Sequence, residues 1–144
     1  MEFSGYDVDY KFLSERAIKE AEEIYSKNTT RRNRGLIEII KTTIYGHIPE
    51  VYLIEKCGFT DDIRKYKDVI DINGNVVEVK VTEGEYYVPY VIDRANKAYK
   101  EKWRNYPEIL YVFIGNKKTL EYKLHGIYQI VNEKFVLQSN TILV

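Results

Sequence analysis

Near the start of the chain, apolar residues recur at helical spacing. Leu13, Ala17, Ala21 and Ile24 fall on one face, and Glu15, Lys19, Glu22 and Glu23 fall on another. Steps of three and four place side chains on one stripe, so residues 11–27 are expected to form an amphipathic helix. The polar stretch from Asn28 to Gly35 breaks it. Helical spacing resumes with Leu36, Ile37, Ile40 and Ile44 and is interrupted by Gly46 and Pro49. Proline fits the first turn of a helix better than its interior, so a new helix is expected over Pro49–Cys57, closed by Gly58. Glu50, Leu53, Ile54 and Cys57 would share its apolar face, where an unpaired carboxylate is costly. Something must satisfy Glu50.

Two β-branched runs, about 66–72 and 76–82, flank Asn73-Gly74, a strong hairpin signal. Beyond Pro89 the period is helical again, with Ile92, Ala95, Tyr99, Trp103 and Tyr106 as an inner stripe that Pro107 ends. The apolar run Ile109–Ile114 before Gly115-Asn116 suits a buried strand. The tail alternates over Leu120–Leu124, Ile127–Val131 and Phe135–Val144, read as short strands. A hairpin, a helical crossover and a central strand imply an α/β protein with a mixed sheet flanked by helices. No repeat or linker divides residues 1–144, so one domain is expected.

Composition narrows the classes. The 22 basic and 22 acidic residues cancel, so any attraction for nucleic acid must come from local clustering of Lys and Arg. One cysteine, Cys57, excludes an internal disulfide and a multi-thiolate zinc site, and with only His47 and His125 besides, no zinc is expected. No secretory signal or bilayer-length apolar run is present, and a cytoplasmic setting is expected, with no membrane partner.

Strand alternation puts Glu78 and Lys80 on one face and Val77, Val79 and Val81 on the other. A carboxylate can ligate a hard divalent cation, and a neighbouring ammonium can hold the attacking water. With a three-residue turn, Asp68 falls across from Lys80 and on the Glu78 face; with a two-residue turn, Asp71 takes that face. Glu121-Tyr122-Lys123 repeats the Glu-x-Lys pattern without an Asp-bearing strand before it, so the pattern alone is weak. A solvated cross-strand charge pair is its bland explanation.

The block Lys67-Asp68-Val69-Ile70, then Asn73-Gly74, then Glu78-Val79-Lys80 resembles motifs II and III of the PD-(D/E)XK, or restriction-endonuclease-like, nucleases. Lys67 stands where that signature has Pro. The segment from Gly46 through Glu50 to Gly58 resembles the family's preceding helix. The resemblance covers about residues 36–115 and implies an αβββαβ core, with an extra N-terminal helix and C-terminal strands outside it. It implies that Asp68, Glu78 and the Val79 carbonyl bind Mg²⁺, for which Mn²⁺ could substitute. Glu50 would contact the metal directly or through water, and Lys80 would orient the water that attacks a DNA phosphodiester. It further implies a homodimer, one site cutting each strand.

Arg31, Arg32 and Arg34, with Arg94, Lys97 and Arg104 on the outer face of the third helix, are candidate phosphate contacts. A solvated charged face explains them equally well. Two rival readings stand beside the nuclease: a non-catalytic DNA-binding or assembly module with the same fold, and a small α/β interaction domain.

Overall fold

The computed structural model describes residues 1–27, 35–61, 69–103 and 106–142. In chain order the elements are β1 (Glu2–Ser4), α1 (Tyr10–Lys27), α2 (Leu36–Lys56), β2 (Thr60–Asp61), β3 (Val69–Ile70), β4 (Val76–Thr82), α3 (Val88–Glu101), β5 (Ile109–Gly115), β6 (Glu121–Val131) and β7 (Lys134–Ser139). The strands form one mixed sheet in the order β1-β6-β5-β4-β3-β2, with β7 also on β6. Among the described strands only β4 and β5 pair in parallel, joined by the α3 crossover, and the other pairs are antiparallel. The α/β class with helices on a mixed sheet is as expected.

Alternation in the strands decides which helix covers which face. Val77 and Val79 of β4 and Tyr111 and Phe113 of β5 pack with Leu53 and Cys57 of α2. The alternate positions of β5, Leu110 and Val112, pack with Val88, Ala95 and Tyr99 of α3. Helix α1 lies outside α2, where Leu13 joins Tyr45, Ile48 and Val51.

The expected break in α2 does not occur. The helix runs unbroken from Leu36 to Lys56 with Pro49 inside it. An interior proline removes the N–H that would bond the carbonyl four residues earlier, here that of Tyr45. The Tyr122 hydroxyl replaces it, donating to the Tyr45 carbonyl at 2.8 Å. The Tyr45 hydroxyl in turn donates to the Gly115 carbonyl at 2.8 Å. Gly115 has to be glycine here, because a Cβ would lie 2.6 Å from the Tyr122 ring. The helix then ends as the sequence indicates. The Leu53 carbonyl accepts from both Cys57 and Phe59 N–H groups, and Gly58 takes φ +76°.

The hairpin has the three-residue loop. Gly74 N–H donates to the Asp71 carbonyl at 3.0 Å, Asp71 N–H to the Asn75 carbonyl at 2.9 Å, and Gly74 sits at φ 83°. The register pairs Val69 with Val77 and Ile70 with Val76, two positions away from one that would set residue 68 across from Lys80. The Asp71 carboxylate accepts from the N–H groups of Asn73 and Asn75, so it fastens the turn.

Three further differences are local. Helix α3 ends at Glu101, and Tyr106 is exposed, not part of the inner stripe. The two segments expected over residues 120–131 are one strand, β6. Residues Glu2–Ser4, which carry no strand pattern of their own, pair with β6, and Phe3 stacks between Tyr52 and Tyr122.

Candidate active site

Strand β4 buries Val77 and Val79, which leaves Glu78 and Lys80 on the opposite side of its pleat. Lys80 Nζ lies 3.2 Å from Glu78 Oε1, and the Glu78 side chain is 12% exposed against 43% for Lys80. Glu50 follows Pro49 on α2 and is buried. A cavity of about 390 Å³ is lined by Glu50, Glu78, Val79 and Lys80, together with Glu20 and His47. Helix α2 and strand β4 thus bring three of the four expected catalytic residues to the lining of one cavity. Asp68, Arg31, Arg32, Arg34 and Arg104 lie outside the described residues. Arg94 and Lys97 are exposed on α3 and line a second cavity, of about 670 Å³, which shares Lys80 with the first.

The buried Glu50 carboxylate has its partners. Its Oε2 lies 3.3 Å from an Arg16 guanidinium nitrogen and 2.8 Å from His47 Nδ1. Arg16 also pairs with Asp61, and His47 Nε2 pairs with Glu20. A chain of charges therefore ties α1, α2 and β2 together, with Glu20, His47 and Glu50 in the cavity wall. Each member would be expensive to bury alone, and removing one would strand the others. Burial alone would lower the His47 pKa, but Glu20 and Glu50 outweigh it and raise it to about 9. Burial raises the Glu50 pKa, against the opposing pull of His47 and Arg16.

Sequence reasoning singled out none of Arg16, Glu20, His47 or Asp61. Two signals were present. Arg16 falls on the apolar stripe of α1 one turn after Leu13, and His47 stands three residues before Glu50 on the same helix. The pairing with Asp61 has no local signature.

Glu50, Glu78 and the Val79 carbonyl are hard oxygen donors, the type that Mg²⁺ takes. Among the described residues, no group of three or more His, Cys, Asp or Glu side chains is gathered closely enough to hold a metal ion. The donors fit a magnesium ion in kind, and Glu50 and Glu78 both line one cavity. Beside them Lys80, the one cation of β4, keeps its side chain 43% exposed while pairing with Glu78. The chain matches no family profile, no curated protein and no solved structure. Its site must be read from its own residues. Among those described, no helix is long and apolar enough to cross a membrane.

Proposed function

We propose that this chain is a Mg²⁺-dependent DNA endonuclease with a restriction-endonuclease-like core, acting as a homodimer in the cytoplasm. The observation that carries the proposal is the convergence of Glu50 from α2 with Glu78 and Lys80 from β4 on one cavity. The chain order α2, β2, β3, β4, α3, β5 also runs αβββαβ, the order that the PD-(D/E)XK resemblance implies.

In this reading Glu78, the Val79 carbonyl and Asp68 hold the metal, and Glu50 contributes directly or through water. The bound ion would supply Lewis-acid stabilisation of the charge that builds on the phosphate, and a water more easily deprotonated than bulk water. Lys80 orients the attacking water and keeps its ammonium beside the phosphate. Glu78 holds Lys80 in place, at 3.2 Å. Arg16 and His47 fix the Glu50 carboxylate, so one face of the site cannot swing away. Supercoiled plasmid should be nicked or linearised with Mg²⁺ and left intact with EDTA. If plasmid, branched and single-stranded DNA all survive Mg²⁺ and Mn²⁺, the proposal fails.

One observation favours a second reading, the non-catalytic DNA-binding module. Glu50 Oε2 is already engaged by two cationic partners, as a purely structural carboxylate would be. That reading gives DNA binding that needs no metal and survives Lys80→Ala.

A further inference from the structure

The second cavity, between β4 and α3, differs in character from the first. Its lining carries Lys80, Arg94, Lys97 and Lys102 against a single carboxylate, Glu101. On a chain with no net charge this is a local excess of cations, even with Lys80 paired to Glu78, and such clustering is what a polyanion requires. Aromatic rings stand at both ends of it. Tyr90 lines the end near the start of α3, with the Arg94 guanidinium 5.6 Å from its ring centroid. Trp103 lines the other, with Lys80 Nζ 5.7 Å from its ring centroid. Tyr90 is 63% exposed. Tyr90 at this exposure contributes little to the core and has a face to offer, whereas Trp103 is half-buried, packed edge-on to Phe135, and offers only its open part.

We propose that this groove is a track for single-stranded nucleic acid, with phosphates on Arg94 and Lys97 and unpaired bases stacked on Tyr90 and Trp103. The proposal rests on the nuclease reading, which it deepens by naming the substrate as unpaired nucleotides. A duplex presents phosphates outward and keeps its base faces covered, so it would use the cations and leave the rings idle. An unpaired strand uses both, since every base has a π-face and Arg adds cation–π attraction. Lys80 and Val81 line both cavities, so the groove adjoins the space lined by Glu50 and Glu78.

The test is fluorescence anisotropy of the full chain with a labelled oligothymidylate of about 20 nucleotides and a matched duplex, in EDTA so that no cleavage can occur. The single strand should bind at least about tenfold more tightly than the duplex, with quenching of the only tryptophan. Tyr90→Ala should weaken single-strand binding by about fivefold or more and leave duplex binding unchanged. Arg94→Ala with Lys97→Ala should flatten the slope of log K against log salt by roughly 1.4, two phosphate contacts' worth on a single strand. These side chains are exposed, so the variants should fold. Equal affinity for duplex with Tyr90→Ala silent would overturn the proposal in favour of a phosphate-only surface. Absence of binding to either would overturn it outright. Concentration-dependent association that Tyr90→Ser abolishes, with no DNA binding, would make the aromatic patch a self-assembly surface. Binding as described without any cleavage in Mg²⁺ would sink the nuclease reading and leave the groove standing.

Discussion

Tyr122→Phe isolates one bond on which the position of Glu50 depends. The substitution keeps the ring, which is 2% exposed and stacked on Phe3 at 5.3 Å, and deletes only the hydroxyl that donates to the Tyr45 carbonyl. Burial pushes this phenol far above its ordinary pKa, so it stays a donor across the working pH range. No cavity term enters, because the ring volume is unchanged. What remains is a buried carbonyl with no helical partner, since residue 49 is proline and has no N–H to give. Leaving such a group unsatisfied costs about 1–3 kcal/mol. The decisive measurement is the same substitution in a Pro49→Ala background, by urea denaturation with the midpoint and slope both fitted. Alanine at this position restores the helical N–H to the Tyr45 carbonyl, so Tyr122→Phe should cost less there, with a coupling of about 1 kcal/mol. If the two losses agree within about 0.3–0.5 kcal/mol, the bond does not compensate for the proline and the explanation of the unbroken helix is wrong.

Three other outcomes are expected. Lys80→Ala should lower plasmid nicking by about a hundredfold or more, while the unfolding free energy moves by less than about 0.5 kcal/mol because the side chain is 43% exposed; a fully active variant would remove Lys80 from the chemistry. The His47 pKa in the folded state, about 9, lies above its ordinary 6.5, so its stabilising contribution is complete below pH 6.5 and is lost as pH rises through 9. Denaturation midpoints of the parent should therefore fall across that window relative to those of His47→Gln, and parallel pH profiles would contradict the ion pairing. Gly46→Ala, in a helix interior where an added Cβ meets nothing within 4 Å, should raise stability by about 0.5–1 kcal/mol, read as a higher melting temperature.

What could be read in the sequence was what is encoded locally. Helix α1, helix α3 up to Glu101, the Asn-Gly hairpin and strand β5 all follow from periodicity and turn chemistry within a few residues. The same holds for Glu78 and Lys80 sharing a face, which needs only the two-residue repeat of a strand. The continuity of α2 was not legible, because the group that makes Pro49 tolerable is donated from 77 residues beyond Tyr45. Strand β1 escaped notice since its partner, β6, supplies the order that its own three residues lack. The need of Glu50 for a partner could be stated from its place on an apolar face. The identity of that partner could not, because Arg16 is brought in by packing of α1 across the outside of α2.

Cys57 is the only thiol in the chain, and it sits 4% exposed at the point where α2 stops, against Leu53 and the valines of β4. Burial also pushes its pKa up, which makes it slow to react while the helix end stays docked. Alkylation kinetics in native buffer therefore clock how often that end lifts from the sheet, with no engineered probe. Comparing those rates with and without divalent ion would show whether filling the cavity quiets the end of a helix that helps to line it.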